Sequence, residues 1–259
     1  MLLHISKFMK IENKQIGKNN PIFIIAEAGV NHNNNLSLGY KMIDIAAKYG
    51  ADAIKFQTFV TENINLKNSI KPNYQKSIKK KNYFEIIKNL QTSFEEQKKL
   101  FNYCKKRKII FLSTPYDEES LDFLTKIGIS AFKISSSDAT NHLFLKSVLK
   151  KKKPILLSTG LTSEKHVEET IKLIKEFKMV KKLILFQTTS DYPTKNTDVN
   201  LKVISEYLKK YNVLVGFSDH TQDDTASLGA IAMGACIVEK HFTLNKKLPG
   251  PDQKSSLEP

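Results

Sequence analysis

Eight short apolar runs that alternate with amphipathic, helix-period segments constrain the fold of this chain more than any other feature of its sequence. The apolar runs lie at residues 22–26, 53–57, 109–112, 131–134, 155–157, 183–187, 213–217 and 236–240. The segments with helical periodicity lie at residues 36–49, 93–107, 117–127, 142–149, 163–177, 199–210 and 223–233. Near-continuous apolar strands joined by helices are typical of a parallel sheet that is buried on both faces.

The number of these strand–helix units distinguishes between two parallel architectures. Eight units within 259 residues favour a closed (β/α)8 barrel of the TIM type, in the α/β class, over an open doubly wound sheet. The turn after the first strand, AEAGVNHN at residues 26–33, also lacks the Gly-rich phosphate motif of Rossmann-type sheets. We therefore predict a barrel over residues 21–259 and a cap or hairpin over residues 1–20.

Two segments depart from a regular barrel. Residues 60–89 are rich in Lys and Asn, and they are predicted to form a long loop over one barrel end. Seven helical segments accompany the eight strands, so the barrel is predicted to lack its eighth helix and to be incomplete at its C-terminal end. Cover for the last strands would then come from a further segment or from a partner.

The composition argues against a nucleic-acid or membrane role. The formal charge of +15 comes from Lys residues in scattered short runs, whereas nucleic-acid binders concentrate them on one face with interleaved aromatic residues. No stretch approaches the roughly 20 apolar residues that cross a bilayer, and the first residues do not resemble a secretory signal. Two cysteines, Cys104 and Cys236, cannot build a disulfide scaffold, so we expect reduced thiols and a cytoplasmic location.

Polar residues follow or end every predicted strand, where a barrel of this type carries its active site. They include Glu27, Lys55, Gln57, Thr114, Lys133, Ser136, Ser158, Ser190, Tyr192, Ser218, His220, Glu239 and His241. Taken alone, each is equally well explained as a strand-end group that meets solvent. Burying Lys55 and Lys133 among apolar strands is costly unless an anion pairs with them. The set therefore indicates a site for an anion with phosphate and carboxylate groups.

Two histidines end neighbouring predicted strands. His220 follows the seventh strand and His241 follows the eighth, and adjacent strands lie about 4.8 Å apart. Both imidazoles are thus predicted to share one divalent ion and to leave positions open for substrate, as catalytic metals require. The alternative is that each histidine makes only local hydrogen bonds. Cys236 is interpreted as a small buried hydrophobic residue, and no nucleophilic Cys or Ser triad is indicated.

Nine motifs in order along nearly the whole chain resemble the sialic acid synthase family, the bacterial synthases of N-acetylneuraminate and legionaminate. They are IAEAGVNHN (25–33), GADAIKFQTF (50–59), FLSTPYD (111–117), FKISSSDATN (132–141), ILLSTG (155–160), TTSDYP (188–193), VGFSDHT (215–221), GACIVEKHFTL (234–244) and GPDQKSSLEP (250–259). The resemblance implies a barrel enzyme that condenses phosphoenolpyruvate with an N-acetylated sugar aldehyde. That sugar would be N-acetylmannosamine or a diacetamido relative, and the products would be a nonulosonic acid and phosphate.

The resemblance also assigns roles to residues. Glu27 would be the carboxylate beside the sugar aldehyde, and Asp252 would be the carboxylate that contacts the sugar. His220 and His241 match the two ligands of a manganese-type ion, with Mg²⁺ or Co²⁺ as alternatives. The expected substrate-binding residues are Lys55, Gln57, Thr114, Lys133, Ser136, Ser158, Ser190, Tyr192 and Ser218.

Three departures from the family pattern matter. Gln253 replaces a His after Asp252, which is expected to alter contacts with the sugar or the surroundings of the metal. Thr188 stands where Cys is common. The family also continues with an eighth barrel helix and an antifreeze-like domain that is exchanged across a homodimer, so dimerisation is implied only if that domain is supplied.

Two competing hypotheses remain open from the sequence. One is another phosphoenolpyruvate-dependent barrel synthase that condenses a phosphorylated aldose, which would need a second basic cluster. The other is a truncated, non-catalytic or split-enzyme paralogue, which the predicted missing helix motivates. Phosphate release measured with different sugars distinguishes the aldose-phosphate synthase from the sialic acid synthase. Turnover by the 259-residue chain would exclude the non-catalytic protein.

Overall fold

The computed structural model describes residues 8–69 and 82–259, and their architecture is a closed barrel of eight parallel strands. Each barrel strand pairs with the one before it along the chain, and the last strand pairs with the first to close the barrel. The barrel strands are β3 (Phe23–Gly29), β4 (Ala53–Thr58), β5 (Ile110–Pro115), β6 (Phe132–Ile134), β7 (Ile155–Ser158), β8 (Leu183–Thr188), β9 (Leu214–Asp219) and β10 (Ile237–His241). The predicted TIM-type α/β barrel is thereby confirmed.

A short antiparallel hairpin precedes the barrel. Its strands are β1 (Phe8–Ile11) and β2 (Lys14–Gly17). The side chains of Met9, Ile11 and Ile16 are buried and join the core cluster of the barrel interior. The hairpin therefore closes one end of the lumen with apolar side chains, and the opposite end is left for polar residues.

Nine helices occur among the described residues, and most follow a barrel strand as predicted. They are α1 (Leu36–Lys48), α2 (Thr61–Ile64), α3 (Tyr83–Leu90), α4 (Phe94–Arg107), α5 (Glu118–Ile127), α6 (His142–Lys150), α7 (Glu164–Glu176), α8 (Lys202–Tyr211) and α9 (Thr225–Ala232). Side-chain caps fix several of their starts, including a capping box between Ser93 and Glu96. None of the described helices is both long and apolar enough to cross a membrane.

The predicted loop over residues 60–89 is wrong for part of its length, because α2 and α3 lie within it. A capping box between Asn82 and Glu85 starts α3. The buried side chains of Ile86 and Leu90 then pack against Val30 and Phe59. Residues 70–81 of the predicted loop lie outside the described residues.

Side-chain alternation along the strands separates two apolar layers. One cluster fills the space between strands and helices and includes Ile54, Phe56 and Phe111. The other lies inside the barrel and includes Ile25 and Leu112. Because successive strand residues face opposite sides, Glu27 continues the inward phase of Ile25 towards the carboxyl end of its strand.

The segment after the last strand folds back onto that strand. Phe242 and Leu257 form a parallel β-bridge, and Leu257 N donates a hydrogen bond of 2.9 Å to His241 O. A 3-10 turn at Gln253–Ser255 lies between them. This return carries Asp252 to the rim of the barrel.

Candidate active site

A cavity of about 500 Å³ opens at the carboxyl ends of the barrel strands. It is lined by Glu27, Lys55, Gln57, Tyr83, Thr114, Tyr116, Lys133, Ser135, Ser136, Ser137, Ser158, Leu161, Thr188, Ser190, Tyr192, Ser218, His220, Glu239 and His241. Every predicted site residue except Asp252 is in this lining. Asp252 lines an adjoining recess of about 200 Å³, which shares Gln57, Tyr83, Tyr116, Tyr192 and His241 with the main cavity.

Two lysines and two carboxylates meet at the bottom of the cavity, and all four side chains are buried. Lys55 Nζ lies 2.8 Å from Glu27 Oε2 and 3.6 Å from Glu239 Oε1. Lys133 Nζ lies 3.2 Å from the same Glu239 oxygen. In the described structure the protein itself supplies the carboxylates that accompany the two lysines, and a bound anion with phosphate and carboxylate groups stays a prediction.

Hydroxyl groups complete the surroundings of the two ammonium groups. Lys133 Nζ donates a 2.7 Å hydrogen bond to Ser158 Oγ, and Lys55 Nζ donates a 3.4 Å bond to Thr114 Oγ1. Ser218 Oγ donates to Glu239 Oε1 at 3.0 Å. These donors and cations converge from strands β4, β5, β6, β7 and β9, so the barrel itself holds them at fixed spacing.

The two carboxyls differ in acidity because burial outweighs the lysines at Glu27, whereas the lysines outweigh burial at Glu239. Burial raises the pKa of Glu27 to about 7, because the nearby Lys55 offsets only part of the desolvation. Burial also opposes ionisation of Glu239, but Lys133 and Lys55 outweigh it and lower the pKa to about 2. Glu239 is therefore an anion at neutral pH, whereas Glu27 changes its protonation state near pH 7.

The two lysines respond in opposite directions to the same surroundings. Burial lowers the pKa of Lys133, even though Glu239 acts against the shift. Burial acts on Lys55 in the same direction, but the carboxylates of Glu239 and Glu27 overcome it and raise the pKa. The charged form of Lys133 is thus less well stabilised by the protein than that of Lys55, and a further anion nearby would favour it.

The two histidines lie side by side, with ring centres 5.4 Å apart and planes inclined by 64°. His220 Nδ1 lies 2.6 Å from the carbonyl oxygen of Thr189, so Nδ1 carries the proton and Nε2 is left with its lone pair. That Nε2 lies 3.4 Å from Ser218 Oγ. Tyr192 stacks on the His220 ring with centres 4.2 Å apart and holds it in place.

The geometry and chemistry of the pair fit one divalent ion. A nitrogen–metal distance of about 2.1 Å puts each ring centre roughly 3.2 Å from an ion, so two shared ligands have centres within about 6.4 Å. Nδ1 of His241 is buried and has no hydrogen-bond partner in the structure. Burial lowers the pKa of His220 to about 4 and also lowers that of His241, which keeps both rings neutral. Within the described residues no cluster of three or more His, Cys, Asp or Glu side chains is arranged for a metal, so substrate and water would complete the shell.

The recess beside the histidines has a different character. Its apolar wall consists of Val30, Phe59, Ile64, Ile87 and Leu90, and its polar groups are Gln57, Asn65, Tyr83, Tyr116, Tyr192, His241 and Asp252. Burial raises the pKa of Asp252 to about 6. The recess can therefore hold a neutral molecule with both hydroxyl and methyl groups.

Some predicted residues have structural partners as well as a place in the lining. Ser136 Oγ accepts a 2.9 Å hydrogen bond from Gly160 N, which ties the loop after β6 to the loop after β7. A Cβ atom at Gly160 would lie 2.7 Å from Ser190 Oγ, so only glycine fits there. Gln57 lines the cavity, and its backbone carbonyl oxygen accepts a hydrogen bond from Gln97 Nε2.

Seven lining residues were not among the predicted site residues, and three of these carry an ionisable side chain, namely Glu239, Tyr116 and Tyr83. Glu239 has the same strand phase as His241, and that period of two was a signal for an inward carboxylate. Tyr116 follows the end of β5 and contributes to both cavities. Tyr83 begins α3, inside the segment that was predicted to be a loop, so the sequence offered no signal for it.

Gln253, which is expected from the sequence to alter contacts with the sugar or the surroundings of the metal, lines neither cavity, and that effect stays a prediction. Its side chain is fully buried. Its Nε2 donates to the carbonyl oxygen of Asn31 at 2.8 Å, and its Oε1 accepts from the hydroxyl of Thr243. Both ends of the side-chain amide are thus hydrogen-bonded within the fold.

Comparison with known proteins identifies relatives over most of the chain. The model of the NeuB family matches residues 42–259. N,N'-diacetyllegionaminic acid synthase from Campylobacter jejuni is 41% identical over 239 residues, which are 91% of this chain and 72% of that protein. Pseudaminic acid synthase from Campylobacter jejuni is 38% identical over 254 residues, which are 94% of this chain and 72% of that protein.

A solved structure supports the same relationship. The N-acetylneuraminic acid (sialic acid) synthetase of Leptospira borgpetersenii, in complex with citrate, superposes with a TM-score of 0.86 at 34% identity. The match covers 98% of this chain and 85% of that protein. More distant barrels, such as the 3-deoxy-D-arabino-heptulosonate 7-phosphate synthase of Thermotoga maritima, share 16% identity and a TM-score of 0.71, and they show the fold alone.

Proposed function

Because the chain belongs to the NeuB family, we propose that it condenses phosphoenolpyruvate with an N-acetylated sugar aldehyde to form a nonulosonic acid and phosphate. Relatives of 41% and 38% identity are named for different products, so identity alone does not select the sugar. N-acetylmannosamine and a diacetamido relative are both candidates. The proposed homodimer and cytoplasmic location stay predictions.

One juxtaposition supports this function above all others. A hydroxyl-rich pocket around the ammonium groups of Lys55 and Lys133 shares one lumen with the paired imidazoles of His220 and His241. Phosphoenolpyruvate carries a phosphate and a carboxylate, which match the first half of this cavity. An aldehyde bound at the second half would lie beside the nucleophilic carbon, because both halves face the same cavity.

The lysines and hydroxyls position phosphoenolpyruvate and stabilise its charge. Lys55, with Thr114, and Lys133, with Ser158, offer donors from four consecutive barrel strands, β4 to β7. Ser136, Ser190 and Ser218 line the same cavity and add further donors. Preorganised donors of this kind need no rearrangement as the phosphate leaves, which is the main electrostatic contribution to such a reaction.

Glu27 would act as a general acid or base next to the reacting carbons. Its strand register places it beside Lys55 on one side and His241 on the other. A pKa of about 7 lets the carboxyl act as base or acid near neutral pH. The C3 carbon of phosphoenolpyruvate attacks the aldehyde carbon, water adds to C2, and phosphate departs with cleavage of its C2–O bond. Glu27 assists sugar ring opening or activates this water.

His220 and His241 would hold a divalent ion, for which we propose Mn²⁺, with Mg²⁺ or Co²⁺ as alternatives. When bound, such an ion supplies Lewis-acid polarisation of the aldehyde oxygen. The protein prepares this site by fixing the tautomer of His220 through Thr189 O and by keeping both rings neutral.

The recess accommodates the remainder of the sugar. Asp252 is its one carboxyl group among the described lining residues, and Gln57 and Asn65 add amide groups. No Lys or Arg is present in this described lining, which argues against a phosphorylated aldose such as arabinose 5-phosphate. The apolar wall instead favours contact with the methyl group of an acetamido substituent.

Phosphate release by the purified chain tests the proposal. The protein is incubated with phosphoenolpyruvate, Mn²⁺ and one of three sugars: N-acetylmannosamine, a 2,4-diacetamido-trideoxymannose or arabinose 5-phosphate. Release with an N-acetylated sugar and not with arabinose 5-phosphate is expected. Release with arabinose 5-phosphate alone would establish the aldose-phosphate alternative, and no release with any sugar would favour a non-catalytic or split-enzyme protein.

A further inference from the structure

The segment 249–257 has little regular structure of its own, with one 3-10 turn at Gln253–Ser255. Hydrogen bonds nevertheless attach it to two other parts of the barrel rim. Thr243 N donates to Leu257 O at 2.8 Å, which fixes its far end beside β10. Asn33 Nδ2 donates to Pro249 O at 2.7 Å, which fixes its near end beside the loop after β3. Both attachments flank the position of Asp252.

Gln253 bridges these two attachments from within the segment. Its Nε2 donates to Asn31 O, in the loop after β3, and its Oε1 accepts from Thr243, just after β10. Both Gln253 and Thr243 are fully buried. A side chain at this position must therefore donate at one end and accept at the other, which an amide does and a carboxylate or an alkyl chain does not.

A second set of bonds supports the same geometry. Asn31 Nδ2 donates to Phe242 O at 2.9 Å and to Ser256 Oγ at 2.8 Å. Ser256 Oγ in turn donates to the carbonyl oxygen of Asp252 at 2.7 Å. The backbone of Asp252 is thus held from both neighbours in the network, Gln253 and Ser256.

In the part of the chain that the structure describes, the carboxyl of Asp252 itself is held by no such bond. It lines the recess, and no group in residues 8–69 or 82–259 is assigned a hydrogen bond to its side chain. The backbone that carries it fixes the position of its Cα–Cβ bond, and therefore the point from which the carboxyl reaches into the recess. Holding that backbone in place keeps the carboxyl within reach of a molecule bound there.

We propose that Gln253 is a positioning residue that aims the Asp252 carboxylate at the sugar in the recess. This inference rests on the proposed function for the identity of the bound molecule. Gln253 has no contact with the recess and acts only through its neighbour. Loss of the hydrogen bonds that join its amide to Asn31 O, Pro249 O and the Thr243 hydroxyl would let the segment 249–257 shift while the lysine pocket stays intact.

Steady-state kinetics of Gln253→Met, Asp252→Asn and the double variant test this role. Methionine keeps the length of the side chain and removes both hydrogen-bonding ends. We expect Gln253→Met to raise the KM for the sugar about tenfold, the scale of one to two lost buried hydrogen bonds, and to leave the KM for phosphoenolpyruvate within twofold. In the Asp252→Asn background the same change should add less than twofold, because its target is already gone.

Gln187→Met is the matched control. Gln187 is also buried and donates through Nε2 to a backbone carbonyl, that of Val199, at 3.0 Å. We expect it to lower the melting temperature without a selective rise in sugar KM. Additive effects of Gln253→Met and Asp252→Asn would overturn the positioning role. So would an equal rise in both KM values.

Hydrogen exchange separates this inference from the proposed function. Without any substrate, Gln253→Met should speed amide exchange within residues 249–257 and leave the barrel strands unchanged. Unchanged exchange in that segment would overturn the inference whatever the activity. Faster exchange in a protein whose wild type releases no phosphate would defeat the proposed function and would leave Gln253 as the clamp of this segment.

Discussion

Glu239 and Lys133 form a buried ion pair inside the barrel, with Oε1 3.2 Å from Nζ. Lys55 approaches the same oxygen at 3.6 Å. One carboxylate therefore serves two ammonium groups that would otherwise repel each other in a site shielded from water. The cavity carries its own counter-ions, and a bound anion must compete with them or replace them.

Removing this shared carboxylate should expose the dependence of Lys133 on an anion. We expect Glu239→Gln to destabilise the free protein by about 3 kcal/mol, because it leaves buried ammonium charge uncompensated. Inorganic phosphate or phosphoenolpyruvate should then raise the melting temperature more in the variant than in the wild type. Thermal denaturation with and without each anion measures this. Equal shifts in both proteins would mean that the bound anion does not take the place of Glu239.

Replacing Glu27 should separate binding from chemistry. Glu27→Gln keeps the size of the side chain and removes its proton exchange, so turnover should fall by at least about a hundredfold. Binding of phosphoenolpyruvate, followed by calorimetry, should persist because the lysines and hydroxyls remain. For the wild type, kcat/KM should fall as the pH drops below about 7, since the base form of Glu27 is then lost. Unchanged turnover in the variant would rule out this role for Glu27.

Either histidine should be needed for metal affinity. Because Thr189 O leaves Nε2 of His220 unprotonated, His220→Ala removes one of the two proposed metal ligands and leaves the lysine pocket in place. We expect Mn²⁺ affinity to fall at least tenfold by calorimetry, while phosphate still stabilises the variant against heat. A metal-binding curve that does not change would remove His220 from the ligand set.

Strand phase explains why so much of the fold and site was predictable. The apolar runs indicated the barrel, and the phase of Lys55 relative to Gln57, or of His220 relative to Ser218, fixed which side chains enter the lumen. Such local rules fail where contacts come from distant segments. Tyr83 enters the cavity only because α3 packs on Val30 and Phe59, which no local pattern encodes.

Pairing between charges was also beyond the sequence. The position of Glu239 followed from its period of two with His241, but its bond to Lys133 joins residues 106 positions apart. Gln253 also shows that a sequence motif does not reveal the long-range partners of a side chain. Its place in a sugar-binding motif suggested contact with substrate, whereas the return of the chain onto β10 buries it among backbone partners.

Asp252 should show a conflict between stability and function. Burial raises its folded-state pKa from 3.8 to about 6, so the folded protein holds this proton more tightly than the unfolded chain does. The resulting stability is fully present below about pH 4 and is lost as the pH rises through about 6. Asp252→Asn removes this loss because its amide does not ionise.

We therefore expect the free energy of unfolding of Asp252→Asn to exceed that of the wild type by about 1 to 2 kcal/mol at pH 7.5, and by little at pH 4. Urea denaturation at both pH values measures the difference, and Asp198→Asn, at an exposed position, serves as the control. The same variant should raise the sugar KM, since the recess loses its carboxylate. A variant that is less stable at pH 7.5 than the wild type would mean that Asp252 is held by partners as an anion, and its carboxylate would then not be kept free for substrate.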